Sequence, residues 1–166
     1  MEATTLHEGI ISFLDANKVL YRVVKHEITK TSEDSARERG EPLGCGAKAL
    51  VMRSSTKGTI SFCVLVVPAD CTINNKLAKK ALGVKDLRFA SADELATIVG
   101  VPSGAVPPFG EPFINLPLIA DLTVGVRYPN VAFNAGSLTD SVIMAAEDWE
   151  RLAQPRRINL CGVEEI

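Results

Sequence analysis

Residues 47–68 read AKALVMRSSTKGTISFCVLVVP, and the fold is decided there. Ala47 to Arg53 carries the β-branched and apolar content of a strand, Lys57-Gly58 is a turn pair, and Thr59 to Pro68 forms a second, longer strand, so the stretch predicts a β-hairpin. The run FCVLVV at 62–67 is apolar without alternation. A strand of that kind is covered on both faces, which places it centrally in a sheet.

Working outward, Leu6, Ile10, Phe13 and Leu14 recur at helical spacing and predict an amphipathic helix over residues 5–17. Tyr21 to His26 reads as a strand. Thr31-Ser32-Glu33-Asp34 opens a short helix as a capping box, with Gly40 as its stop. After the hairpin, Asn74 to Leu82 is a helix ended by Gly83, Leu87 to Ala90 a short strand, and Ser91 to Glu94 a capping box before the helix ELATIV. Residues 101–112, VPSGAVPPFGEP, hold four prolines and two glycines, so they form a stiff, shaped loop. Residues 116–120, 122–126, 131–134 and 142–144 read as strands, 147–153 as a helix, and the tail from residue 155 has no clear pattern. Helices and strands mix without strict alternation. The expected class is α+β: one compact domain spanning 1–166, with a mixed, largely antiparallel central sheet flanked by helices.

Composition bounds the function. With 166 residues and 46% hydrophobic content the chain can bury a core and is not disordered. Twenty acidic and 18 basic residues leave a charge of −2, so nothing draws the molecule as a whole to nucleic acid; an RNA contact needs a local basic patch. The best patch along the chain is Lys76, Lys79, Lys80, Lys85 and Arg88, which a solvated helix face explains equally well. The four cysteines, 45, 63, 71 and 161, form no C-x-x-C pair and read as free thiols in a reducing compartment. Two histidines exclude a His-rich metal site. The start lacks a signal-peptide pattern and no apolar run approaches a membrane span, so a cytosolic location without a membrane partner is expected.

No standard catalytic constellation is present: G-x-S-x-G, H-E-x-x-H, a P-loop and G-x-G-x-x-G are all absent. Individual residues have two readings each. His26 ends a strand before a loop, as a functional or a merely hydrogen-bonded histidine. Lys48 is the only charge in AKALVMR before Arg53 and points either into a pocket or to solvent. The loop Gly104-Ala105-Val106-Pro107-Pro108-Phe109-Gly110 lets backbone approach a ligand, or is a packed crossover. Asn134, Gly136, Ser137 and Ser141 make a polar wall or a turn. Cys45 near Lys48 is a nucleophile only if a base is positioned for it.

In their order along the chain these pieces resemble a known family. A strand-borne lysine in GAKALVMR after T-S-E-x-x-A, then GAVPPFG, then AFNAGS before a strand and the helix EDWERL, is similar to the YbaK/ProX family over roughly residues 20–153. Its members are aminoacyl-tRNA editing domains, free-standing or inserted in bacterial prolyl-tRNA synthetase. The resemblance implies a hydrolase that deacylates mischarged tRNA, and a pocket walled by Val106, Pro107, Phe109 and Ala135, with little room and few charges, is expected to take Ala, Ser, Thr or Cys. It implies Lys48, Gly104 and Gly136 at the reacting ester, and His26, Thr31, Val106, Pro107, Phe109, Asn134, Ser137 and Ser141 around the substrate. It also implies no cofactor or metal, and as partners the acceptor end of aminoacyl-tRNA and an aminoacyl-tRNA synthetase, with no DNA. Pro107 stands where many members carry Ser or Thr, and Asn134 where others carry Ser or His, both of which bear on the amino acid accepted. Two other classes stay open: a non-catalytic tRNA- or synthetase-binding module, and a hydrolase of another small ester using Cys45.

Overall fold

The computed structural model describes residues 5–162. The hairpin forms as its sequence predicts. β2 (Ala47–Thr56) and β3 (Thr59–Pro68) pair antiparallel from Ala47 with Pro68 to Thr56 with Thr59, closed by Lys57-Gly58. Val64 to Val67 of β3 are wholly buried. Val64 and Val66 pack into one apolar cluster, and Leu65 and Val67 into a second on the opposite face. The unalternating run is therefore a strand covered on both sides.

Around the hairpin a five-stranded sheet is ordered β4-β2-β3-β5-β8. β4 (Asp86–Phe89) is antiparallel to β2, while β5 (Leu118–Asp121) and β8 (Arg156–Ile158) run parallel to their neighbours. A separate antiparallel sheet holds β1 (Tyr21–Lys25), β7 (Asp140–Ala145) and β6 (Asn130–Asn134) in the order β1-β7-β6. The expected α+β class and mixed, largely antiparallel pairing are found, with the strands divided between two sheets rather than one. The larger cluster joins both sheets: Val64 and Val66 meet Val131, Phe133, Val142 and Met144, with Phe109 and Trp149 among them.

Helix ends follow their caps. α1 (Leu6–Ala16) starts at Thr5, whose hydroxyl accepts from the Glu8 amide, and buries Ile10 and Leu14. α2 (Ser32–Arg39) starts at Thr31, which accepts from Asp34 N, and stops at Gly40. α3 (Asn75–Leu82) is capped by Asn74, and α4 (Ala92–Ile98) by a reciprocal capping box between Ser91 and Glu94. Each such cap satisfies amides the helix leaves unpaired, worth about 1 kcal/mol. α5 (Ala146–Ala153) buries Trp149, whose indole N–H donates to the Pro108 carbonyl at 2.8 Å and fixes the proline-rich loop.

Two expectations are corrected. Residues 122–126 are turns, not a strand. The Asp121 carboxylate accepts the Thr123 amide at 3.0 Å, and that local bond bends the chain out of extended conformation. The tail does carry structure: β8 lies on β5, and Asp121 accepts the amides of Leu160 at 2.7 Å and Cys161 at 3.0 Å. Among the described residues no helix is long and apolar enough to cross a membrane.

Candidate active site

β2 pairs with β4 only from Met52 to Ser55. Over residues 47–50 the outer edge of β2 therefore has no strand beside it, and a cavity of about 390 Å³ opens there. Its walls are α2 with the loop before it, the first half of β2, the loop around Gly104, and the end of β6. Lys30, Arg39, Lys48, Gly104, Val106 and Asn134 all line it. Of the expected residues, Thr31, Lys48, Gly104, Val106 and Asn134 are thus brought together from separated segments. Thr31 does double duty as the α2 cap.

The loop geometry explains Gly104. Its φ is +91°, a conformation open to glycine and costly to other residues, and a Cβ there would lie 3.3 Å from Leu138 Cδ2. Asn134 holds this loop by donating from Nδ2 to the Gly104 carbonyl at 2.7 Å. The orientation of that amide is set from behind. Its Oδ1 accepts from Arg39 Nη2 at 3.0 Å and lies 3.1 Å from Ser141 Oγ. Ser141 Oγ also accepts from Arg39 Nε at 2.9 Å and sits 2.8 Å from His26 Nε2. His26 Nδ1 donates to the Glu27 carbonyl at 2.8 Å, which sets Nε2 against Ser141 Oγ, while the Ser141 hydroxyl donates to Asn134 Oδ1.

Six expected residues lie outside the cavity wall. Ser141 is wholly buried behind Asn134, and His26 lies behind Ser141; both act on the site through Asn134 and Arg39. Phe109 is in the core, its ring edge-on to Phe13, Phe113 and Phe133, and Pro107 is buried beside it. Gly136 abuts the start of α1, where a Cβ would come 2.9 Å from Leu6 Cγ. Ser137 closes its own turn, donating to Asp140 Oδ2 at 2.8 Å.

The cationic reading extends further than the sequence suggested. Lys30, Arg39 and Lys48 line the cavity, and among the described lining residues there is no carboxylate. Arg39 belongs to no motif in the sequence. It sits on a helix, SEDSARER, with almost no apolar side chain, whose buried residues are Ser35 and Arg39. A helix that packs with a polar inner face is itself the signal, because those groups need partners indoors.

Cys45 is buried and does not line the cavity. Its Sγ donates to the Asn130 carbonyl at 3.0 Å, and burial, with help from nearby Glu41, pushes the thiol up to about 11. A thiol so protonated is a poor nucleophile. In the basic patch, Lys76, Lys79 and Lys80 lie on α3, Lys85 follows it, and Arg88 is held by both carboxylate oxygens of Glu94 at 2.8 and 3.3 Å.

Residues 26–152 match the family described as Aminoacyl-tRNA editing domain. The Multifunctional Ser/Thr-tRNA deacylase ProXp-y of Escherichia coli (strain K12) is 33% identical over 159 residues, covering 95% of this chain and 94% of that protein. The Prolyl-tRNA editing protein ProX of Acetoanaerobium sticklandii is 27% identical over 150 residues, covering 89% of this chain and 90% of its own. A solved structure described as a candidate trans-editing enzyme for prolyl tRNA synthetase shares the fold, with a TM-score of 0.78 at 21% identity over 98% of this chain and 100% of that one. The match across most of its length and the relatedness to ProXp-y place this chain in the aminoacyl-tRNA editing domain family.

Proposed function

We propose that the protein is a deacylase that hydrolyses the ester between a small amino acid and the terminal ribose of a mischarged tRNA. The observation that carries this reading is the cavity itself: Lys48, Gly104 and Asn134, from three distant segments, meet in a space lined by cations. A negatively charged nucleotide end and a carbonyl that gains negative charge both suit such a lining. Editing of this kind answers a physical limit, since one methylene or hydroxyl gives a synthetase only about 1–3 kcal/mol of discrimination.

In the proposed reaction the backbone around Gly104 frames the ester and Lys48 neutralises the terminal phosphate or the carbonyl oxygen. The substrate's own ribose hydroxyl helps to orient the attacking water. Val106 and Asn134 bound the amino-acid end, which favours Ser, Thr, Ala or Cys. Gly136 turns away from the cavity and has no part in this scheme. Lys76, Lys79, Lys80 and Lys85 offer a weak path for the acceptor stem, of which Arg88, paired to Glu94, is the least available member. We propose further that the protein works in the cytosol, with a synthetase as partner. The protonated state of Cys45 argues against the cysteine-hydrolase alternative.

A panel of mischarged tRNAs tests the reading. Hydrolysis of seryl-, threonyl-, alanyl- or cysteinyl-tRNA, with none of a large aromatic ester, is expected. Binding without hydrolysis of any of them would establish the non-catalytic module instead.

A further inference from the structure

Arg39 and Asp121 are the charged residues that the structure buries. Asp121 is fully engaged by amides and a hydroxyl. Arg39 is different. Only 8% of it is exposed, yet no carboxylate lies within 4 Å of it among the described residues. Its two acceptors, Ser141 Oγ and Asn134 Oδ1, are neutral, so they fix the guanidinium without cancelling its charge. Nη1 has no protein partner among the described residues, and it faces Gly46 in the cavity wall. A Cβ at Gly46 would stand 3.6 Å from Nη1 and 2.7 Å from Ala69 Cβ, so glycine keeps that approach open. Burial lowers Arg39 only to about 10, which leaves it charged at neutral pH.

A buried cation without a counter-ion is costly to a folded protein. The same arrangement is favourable in one circumstance: when negative charge develops in front of it during reaction, a fixed cation in a dry site needs no reorganisation. Depth then separates the cations. Lys30 is exposed at the mouth, Lys48 is half-buried and Arg39 is buried behind them, an order that suits a nucleotide end at the mouth and its ester pointing inward.

We infer that Arg39 is a catalytic residue of this site, its Nη1 meeting the ester carbonyl oxygen as that oxygen becomes negative, while Lys48 and Lys30 receive the terminal phosphate. Water forms a bond to the carbonyl carbon, and the carbonyl π pair moves onto the oxygen facing Arg39. As that pair returns, the bond to the ribose oxygen breaks. The ribose oxygen takes up one proton of the water, and the other is lost to solvent as the amino acid leaves as a carboxylate. Ser141, with His26 behind it, is a positioning residue for Arg39 rather than a participant.

This inference rests on the deacylase reading, and the experiment separates the two. Turnover is measured on seryl-tRNA and on seryl-adenosine, the ester without a phosphate, for wild type, Arg39→Met, Arg39→Lys, Arg39→Ala and Lys48→Ala, with thermal melting as the check on folding. Arg39→Met is expected to lower kcat by about 10²–10³ on both substrates with KM within about threefold, the usual loss for one oxyanion donor. Added guanidinium ion is expected to restore at least about tenfold of the Arg39→Ala loss. Lys48→Ala is expected to suffer on seryl-tRNA far more than on seryl-adenosine. Should the Met and Ala variants fail to fold, Arg39→Lys decides by the same criterion of equal kcat loss on both esters. An Arg39 effect confined to seryl-tRNA, one seen only in KM, or no effect overturns the assignment. A wild type that cleaves neither ester nor any mischarged tRNA overturns the deacylase reading itself.

Discussion

Asn134 donates to the Gly104 carbonyl at 2.7 Å and so ties the end of β6 to the proline-rich loop. The same side chain accepts from Arg39, which makes it the joint between the loop and the cation. Asn134→Ala is expected to lower turnover about 10- to 100-fold. Loss of a hydrogen bond to a charged group costs about 1.5–3 kcal/mol, or a Tm drop of roughly 3–12 °C for a chain of this size. Asn134→Asp should hold the guanidinium more tightly but cannot donate to the carbonyl; melting compared with turnover would show stability kept and activity lost.

Lys48 and Cys45 are three residues apart and are expected to behave oppositely. Lys48→Ala should cut turnover of aminoacyl-tRNA by about 10²–10³ with Tm changed by no more than a few degrees, and Lys48→Arg should recover only part. Cys45→Ser should leave activity within a few-fold. Labelling of Cys45 by a thiol reagent at pH 7 should be slow, because its thiol is protonated and enclosed. An active Lys48→Ala beside a dead Cys45→Ser would reverse both assignments.

Gly104 occupies φ +91° with Leu138 close by. Gly104→Ala is expected to destabilise by about 1–2 kcal/mol through backbone strain alone. Gly104→Val should add the bulk of a β-branched side chain and abolish turnover in protein that still folds. Near-normal activity in a folded Gly104→Val protein would mean that the loop only supports the fold.

Asp121 gives the fold an acid limit. Burial by itself pushes its carboxyl up, but the bonds from Thr123, Leu160 and Cys161 outweigh that and hold it below the ordinary value. A depressed folded value means that the ionised form stabilises the protein. That contribution is whole above about pH 4, the unfolded value, and is lost as pH falls through the lower folded one. Tm should therefore drop on acidification below about pH 4. Asp121→Asn should lower Tm at pH 7 and flatten the acid dependence, which melting across pH will measure.

The parts of the structure legible in the sequence are those governed by neighbours along the chain. The hairpin at 47–68 and the caps at Thr31 and Ser91 follow from local chemistry. Residues 122–126 look like a strand because their apolar content is right, and only the Asp121 carboxylate bends them. β8 is three residues long on a parallel edge, too short to show a period. Lys48, Gly104 and Asn134 stand out in the sequence through the motifs that carry them, and the fold brings all three to one cavity. An irregular loop has no period to say which side chains face inward, so Phe109 and Pro107 look like pocket residues and are core. Arg39 is not legible in the sequence because its partners, Asn134 and Ser141, are 95 and 102 residues away.

The pairing of Tyr21 with Met144 has a consequence for how the molecule is born. The hairpin that carries Lys48 finds its backbone partners within residues 47–68, although the residues that cover β3 are made later. β1 must wait for β7, and Asn134 for its own translation, before Arg39 finds its acceptors. At about 5–20 residues per second, several seconds pass between the making of residues 47–68 and that of the residues that complete the cavity around Lys48. Such long-range closure is slow relative to hairpin formation. A chain stopped short of residue 140 therefore lacks both the partner of its first strand and the serine that seats its buried cation, so the cavity around Lys48 is completed by some of the last residues of the fold to be made.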